Sequence, residues 1–202
     1  MVLPPSRALC RVRDGLPWKV CALMLLTIEK WINRITDVVG AIATMAMFLM
    51  LVNVFYDAIM RYFFNTGSIA MQEMEWHLFS VVFMFGIAYT LKEDGHVRVD
   101  ILYDRLTPQI RAIINIVGTL LLLMPLSFLV IEGSIWFVHE AWQVGEISGD
   151  PGGLSYRWLI KAVIPISFGF LIISAIGFMI RNVNIYRGIE APKPRSIEDE
   201  VL

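Results

Sequence analysis

The sequence is poor in cysteine, histidine and charged residues, and it lacks the usual nucleotide and zinc motifs. Its 202 residues include two cysteines, Cys10 and Cys21, which are too few for a disulfide framework. No GxxxxGK(S/T), HExxH or CxxC pattern occurs, so the chain has no P-loop for ATP. Charged residues make up only 17% and the net charge is −1, which leaves no general basic field for nucleic acid. These shortages exclude disulfide-stapled domains, P-loop ATPases and nucleic-acid-binding proteins.

Apolar residues are in excess. They make up 57% of the chain and the mean hydropathy is +0.65, whereas a soluble domain has about 45–50% apolar residues. A soluble particle of this size has too much surface for its volume to hide that many apolar side chains. The same composition excludes intrinsic disorder for most of the chain. We therefore predict an all-α integral membrane protein.

Four apolar stretches are long enough, or nearly so, to cross a bilayer, which takes about 20 residues. The predicted transmembrane helices cover about 35–64, 70–92, 110–138 and 158–181. Together they form a membrane domain over 35–182, followed by a loose polar tail at 183–202. Pro125 and Pro165 lie within the third and fourth spans and are expected to kink them.

Most of the lysines and arginines lie in three segments, with six in 1–34, four in 92–111 and four in 181–202. The other two connections carry only Arg61 and Arg157, and Lys161 lies just inside the fourth span. Because cytoplasmic segments are enriched in these residues, both termini and the middle connection are predicted to be cytoplasmic. The connections around 65–75 and 132–158 are predicted to face outward, and the second of these is acidic.

The first 34 residues are predicted to form a separate cytoplasmic or interfacial segment. The run VCALMLLTI resembles a signal-peptide core, but no small-x-small cleavage site follows and charged residues come next. We interpret 17–34 as an amphipathic helix on the inner membrane surface. Trp18, Leu25 and Trp31 would enter the headgroup region.

A polar stripe closes the first predicted span. Asn53, Asp57 and Arg61 are spaced by four residues, so they lie on one helical face, and Asp57 can pair with Arg61. Charges at membrane depth are costly, which favours a function or a partner for them. Three interpretations remain open, namely an interfacial ion pair, a stripe that contacts another membrane subunit, and a proton relay.

Acids and one lysine lie at the predicted outer ends of the second and fourth spans. Glu73 and Glu75 open the second span, where acids complement the helix dipole. Lys161 opposes the dipole at the start of the fourth span. It is expected to reach outward or to contact a carboxylate. Glu146 and Asp150 are within reach of it by sequence alone.

The segment RYFFNTGSIAMQEMEWHLFSVVFMFGIAYTLKEDGHVRVDIL carries the most specific pattern. Its marks are the pair Arg61-Tyr62 at the end of the first span, Glu75 at the start of the second, the stretch Gly86-Ile87-Ala88, and the H-x-x-x-D motif of His96 and Asp100. In this combination the chain resembles the small membrane subunit (DctQ-type) of tripartite ATP-independent periplasmic (TRAP) transporters. The resemblance covers about residues 35–182.

The resemblance implies transport rather than catalysis. Members of the family work in the bacterial inner membrane with a large permease subunit (DctM-type) and a periplasmic solute-binding protein (DctP-type). They import an organic acid with a Na⁺ or H⁺ gradient. The chain would then be no enzyme and would need no cofactor or metal. It would scaffold the large subunit, help to dock the binding protein and contact phospholipid.

Two groups of residues are expected to carry these roles. Those chosen as subunit contacts or structural residues, by position and by match to the family, are Asn53, Asp57, Arg61, Glu75, His96, Arg98, Asp100 and Lys161. Arg61 with Asp57 would bridge to the large subunit or to lipid phosphate, and Glu75 would pair across helices. Glu146, Asp150 and Arg157 in the outer connection would meet the binding protein, affecting on-rate more than affinity.

Two other functions compete with this interpretation. His77 and His139 lie near the outer ends of the second and third spans, and two imidazoles at similar depth can hold a b-type haem. The chain would then be a haem-bearing or quinone-linked membrane anchor of a respiratory oxidoreductase. The other alternative is a stand-alone four-helix carrier that works as a homo-oligomer.

Overall fold

The computed structural model describes residues 16–95 and 106–189, with side chains from residue 24 onward. All regular structure in these two ranges is helical. The elements are α1 (Leu16–Phe63), α2 (Ile69–Lys92), α3 (Pro108–Gly118), a π-helical turn (Thr119–Leu123), α4 (Met124–Val144) and α5 (Trp158–Tyr186). Since α3, the π turn and α4 follow one another without a break, four helical rods are long and apolar enough to cross a membrane. The prediction of an all-α, four-span protein is confirmed, and the orientation of its termini stays a prediction.

Helix α1 begins well before the first predicted span. It runs unbroken from Leu16 to Phe63, through the point near residue 34 where the surface helix was expected to end. The stretch 18–39 contains neither glycine nor proline, so nothing in it interrupts the helical hydrogen bonds. Trp31 is exposed, as expected for a headgroup residue, but Glu29 is buried. The amino-terminal part of α1 is therefore packed into the bundle on one side, and its place in the interface stays a prediction.

The third rod contains the π-helical turn just before Pro125. Proline lacks the N–H group that would pair with the carbonyl of Leu121, and Leu121 lies within the π turn. The widened turn is where the hydrogen-bond pattern adjusts. Helix α5, in contrast, continues through Pro165.

The third rod also ends later than predicted. Helix α4 reaches Val144 and stops at Gly145, whose φ of 60° is the left-handed cap conformation that glycine adopts easily. The outer connection is therefore 145–157, and not 132–158. Glu132 and Glu140 consequently lie on the helix rather than in the connection.

Helix α5 is the centre of the bundle and packs against each of the other rods. Its Leu171, Ala175 and Phe178 form a buried cluster with Leu91 of α2. Polar side chains add hydrogen bonds between helices, as is common in membrane bundles. Ser174 Oγ donates to the carbonyl oxygen of Ala88 at 2.8 Å, and Asn115 Nδ2 donates to Asn182 Oδ1 at 2.8 Å.

Helices α1 and α2 run antiparallel, and polar contacts join them at both ends. Asn53 Nδ2 donates to the carbonyl oxygen of Met71 at 2.9 Å near the predicted outer end. Lys92 pairs with Asp37 near the predicted cytoplasmic end. These two contacts fix the register of the pair.

Gly177 lies where α5 comes closest to the amino-terminal part of α1. A Cβ atom added to Gly177 would lie 2.7 Å from Ile32 Cγ2, whereas one added to Gly169 of the same helix would have nothing within 4 Å. Ile32 is β-branched and has one preferred helical rotamer, so its methyl group cannot easily turn away. Only a glycine fits here without moving α1.

Gly177→Ala is therefore expected to lower the free energy of unfolding by about 1–3 kcal/mol, the usual cost of overpacking. Gly169→Ala is the matched control, because it makes the same change in helix propensity on the same helix without the clash. The thermal midpoints of the two detergent-purified variants measure the difference. Equal midpoints would mean that Ile32 moves aside at no cost.

Candidate functional site

The polar stripe at the end of α1 is turned partly inward. Asn53 and Asp57 are buried, and Asn53 is bonded to the backbone of α2. Asp57 pairs with Arg61, whose side chain is 49% exposed. Asn53 therefore joins α1 to α2, Asp57 pairs with Arg61 within α1, and Arg61 keeps donors available at the surface.

Glu73 organises the outer connection. Ser148 Oγ donates to Glu73 Oε1, and the backbone N–H of Leu154 donates to Glu73 Oε2 at 2.6 Å. A Cβ atom at Gly153 would lie 2.8 Å from the same Oε2, so the loop can approach the carboxylate only with glycine there. The first turn of α2 thereby binds the middle of the 145–157 connection.

The sequence predicts a cross-helix pair for Glu75, whereas in the described structure it is Glu73 that contacts a distant segment, the 145–157 connection. In the ranges that the structure describes, Glu75 makes no hydrogen bond or ion pair. Glu73 and Glu75 are the same residue type and both lie near the start of α2, so neither composition nor the helix dipole distinguishes them. Their helical face separates them, because Glu73 shares the face of Ser80 and Met84, which points toward α5.

The outer connection is a folded loop with bonds across its base. The backbone N–H of Ser148 donates to the carbonyl oxygen of Leu154 at 3.1 Å. The backbone N–H of Arg157 donates to the carbonyl oxygen of Glu146 at 3.2 Å. At its tip the N–H of Gly153 donates to the carbonyl of Asp150 at 3.0 Å, and Asp150 is exposed. The loop therefore exposes Asp150 on an ordered backbone.

Three charged side chains meet where α5 begins. Lys161 Nζ pairs with Glu146 Oε2, and Arg157 Nε lies 3.9 Å from Glu146 Oε1. The carboxylate that pairs with Lys161 is therefore Glu146 and not Asp150. Lys161 Nζ also lies 3.9 Å from the centre of the Phe137 ring, a cation–π contact with α4. Of the three predicted docking residues, Glu146 and Arg157 are engaged within the chain and Asp150 is free to face a partner.

A groove of about 400 Å³ lies beneath these charges, between α2, α4 and α5. Its walls are mainly apolar, with Phe79, Phe83 and Phe137 among them. Arg157 and Lys161 are the charged residues that line it. Sequence reasoning did not find this groove, because its walls come from three helices that are far apart in the chain.

The two histidines considered as haem ligands are each bonded within their own helix. His77 Nδ1 lies 2.6 Å from the carbonyl oxygen of Glu73, and His139 Nε2 lies 2.9 Å from Gln143 Nε2. Among the residues that the structure describes, no group of three or more His, Cys, Asp or Glu side chains could hold a metal ion. The loop motif of His96, Arg98 and Asp100 lies outside the described residues.

Comparison with known proteins gives the family. The sequence model of "Tripartite ATP-independent periplasmic transporters, DctQ component" matches residues 50–184. This chain belongs to the DctQ family of TRAP transporter small permeases. The resemblance derived from its own motifs is thereby confirmed. As a member with four membrane-spanning helices, it is a multi-pass inner-membrane protein and a component of a transporter.

Two similar proteins of Haemophilus influenzae bear the name of a TRAP transporter small permease protein. One is 31% identical over 162 residues, which are 79% of this chain and 98% of the relative. The other is 24% identical over 151 residues, which are 73% of this chain and 86% of the relative. Neither relative supports the respiratory-anchor alternative.

Proposed function

We propose that this TRAP small permease serves in the import of an organic acid driven by a Na⁺ or H⁺ gradient, together with a large permease subunit and a periplasmic solute-binding protein. The DctQ match over residues 50–184 is the observation that carries the proposal. The helices support a scaffolding role for this chain. Substrate sites of secondary transporters are typically built from interrupted helices, whereas the rods in the described ranges are continuous.

The exposed face of α4 is the proposed contact with the large subunit. Glu132 lies on this face and is exposed between large apolar side chains, among them Leu129 and Trp136. It lies five residues, or about 8 Å, inside the level of Phe137. A carboxylate at that depth is costly against lipid and is usually paired. In the described part of the chain it has no hydrogen bond or ion pair, so a cation of the large subunit is its proposed partner.

The ordered outer loop is the proposed contact with the binding protein. Asp150 at the tip supplies negative charge, while Glu146 and Arg157 hold the base of the loop. Complementary charge on the binding protein would raise the association rate more than the affinity. A loop that is already folded loses little conformational entropy when it docks.

The other predicted contact residues keep proposed roles that fit their positions. Arg61 offers exposed donors to the large subunit or to lipid phosphate, and Glu75 is open to a partner. Lys161, Asn53 and Asp57 make their contacts within the chain and stabilise it. Roles for His96, Arg98 and Asp100 in fixing the cytoplasmic connection also remain proposals.

The first experiment is recovery of the tagged chain from its native membranes in mild detergent, with mass spectrometry of what accompanies it. We expect a stoichiometric large polytopic protein without haem. In proteoliposomes, uptake of a carboxylate should need that protein and the binding protein, and an imposed Na⁺ or H⁺ gradient should drive it. Recovery of redox subunits, or uptake by this chain alone, would overturn the proposal.

Glu132→Lys tests the α4 contact in the same recovery experiment. Because a lysine would face the partner's cation, we expect the amount of large subunit recovered to fall at least about tenfold, which corresponds to about 1.4 kcal/mol. Glu140→Lys is the matched control, since it makes the same charge change on the same helix nearer the outer end. If the Glu132→Lys variant recovers as much large subunit as the wild type does, the large subunit contacts another face.

A further inference from the structure

We propose that the groove between α2, α4 and α5 binds one phospholipid, with its phosphate on the Arg157 guanidinium and an acyl chain along the apolar walls. The groove volume of about 400 Å³ falls within the range of about 300–1,000 Å³ for small-molecule sites. That space suits one acyl chain rather than a whole two-chain lipid. The second chain would remain in the bilayer.

The walls of the groove suit an acyl chain. Seven of the ten lining residues are aliphatic, aromatic or methionine, namely Phe79, Phe83, Met84, Phe137, Ile160, Val163 and Ile164. The rings of Phe79 and Phe83 are stacked with their centres 6.4 Å apart, and both are about half exposed. They form an open edge through which a chain from the surrounding bilayer can enter.

The charges at the outer end of the groove suit an anionic head. Arg157 and Lys161 together carry two positive charges, and Glu146 is the acid that pairs with both. Glu73 is a second acid whose charge interacts with Arg157, but its two oxygens already accept hydrogen bonds from Ser148 Oγ and the Leu154 N–H. Lys161 is 16% exposed and bonded to Glu146, whereas Arg157 is 42% exposed and 3.9 Å from the same carboxylate. The guanidinium is the cation with donors to spare, and it can bind two phosphate oxygens at once.

The level of Arg157 in the bundle also suits a lipid headgroup. It immediately precedes α5, next to the edge-to-face pair of Trp142 and Trp158, whose ring centres are 4.4 Å apart. Tryptophans concentrate at the headgroup level of membrane proteins. A phosphate at that level and a chain reaching inward along α5 match the way a bilayer phospholipid lies. A free carboxylate would leave the apolar walls empty.

The test is native mass spectrometry of the delipidated full chain with three probes: dioleoylphosphatidylglycerol, dioleoylglycerol without the phosphate, and glycerol phosphate without the chains. We expect one phosphatidylglycerol to bind and the other two probes to bind at least about tenfold more weakly, since each lacks half of the interactions. Equal binding of dioleoylglycerol would overturn the phosphate contact. Binding of glycerol phosphate as tight as that of the lipid would mean an anion site instead.

Two pairs of variants locate the bound lipid. Ile160→Trp fills the groove and Leu159→Trp places the same side chain on the exposed neighbouring position, outside the groove. Arg157→Gln removes the charge and Arg157→Lys keeps it. We expect Ile160→Trp and Arg157→Gln to weaken phosphatidylglycerol binding about tenfold and the two controls to retain most of it. Unchanged binding to Ile160→Trp, with the variant eluting as folded protein, would overturn the site.

Discussion

Glu73→Ala will release the outer loop from the first turn of α2. The substitution removes two hydrogen bonds to a carboxylate, from Ser148 Oγ and from the Leu154 N–H. Bonds to charged groups contribute about 1.5–3 kcal/mol each, so the loop should lose about 3 kcal/mol of local stability. Hydrogen exchange of the amides in 148–154 should then be faster by about two orders of magnitude.

Two further variants make this result specific. Glu75→Ala removes an acid two residues away that makes no described contact, and it should leave exchange in the loop unchanged. Glu73→Gln should fall between wild type and Glu73→Ala. Its amide oxygen can accept from Leu154 and its amide nitrogen can donate to Ser148, but the charge is gone. Equal protection in Glu73→Ala and wild type would mean that the bonds across the base of the loop suffice.

Arg61→Ala will destabilise the chain because it leaves the buried carboxylate of Asp57 without its cation. Removing one partner of a buried ion pair costs about 3–5 kcal/mol, and we expect the lower end because half of the Arg61 side chain is exposed. The thermal midpoint of the purified variant measures the loss. The amount of complex recovered with the large subunit should fall with it.

A second substitution separates stability from assembly. Asp57→Asn in the Arg61→Ala background removes the stranded charge and should restore most of the midpoint. If the double variant is stable yet recovers little large subunit, Arg61 contacts the partner directly. If Arg61→Ala alone melts like the wild type, the pair with Asp57 contributes nothing measurable.

The class of the protein and its four spans could be predicted because they depend on composition and on the length of apolar runs. The family could be predicted because its sequence motifs lie close together in one segment, from Arg61 to Asp100. The ion pair of Asp57 with Arg61 also follows from helical spacing alone. Each of these features is local in the chain.

Contacts between distant segments could not be predicted in the same way. Glu73 and Glu75 look alike until α5 and the outer loop are placed beside α2, and only then does one of them gain partners. Glu146 and Asp150 were equal candidates for Lys161 until the loop was folded. The end of the third span, predicted at about residue 138, lies instead at Val144, because Gly145 ends the helix and the acids Glu132 and Glu140 do not.

The 48 residues of α1 have a consequence for the shape of the protein. At 1.5 Å per residue the helix is about 72 Å long, more than twice the hydrocarbon thickness of about 30 Å. Even a tilt of about 40° leaves it far too long to lie wholly inside. Part of α1 must therefore form a stem outside the hydrocarbon.

The contacts of that stem indicate what it is made of. On its side of the bundle the core becomes polar, with Glu29 beside Asn184 and with Asn182 bonded to Asn115. Amides and a carboxylate are costly to bury unless they are hydrogen-bonded, and here Asn184 Nδ2 donates to Glu29 and Asn115 donates to Asn182. The part of α1 outside the hydrocarbon is thus held against the predicted cytoplasmic end of α5 by buried polar contacts, while it exposes the apolar side chains of Met24, Ile28 and Trp31 on its other side.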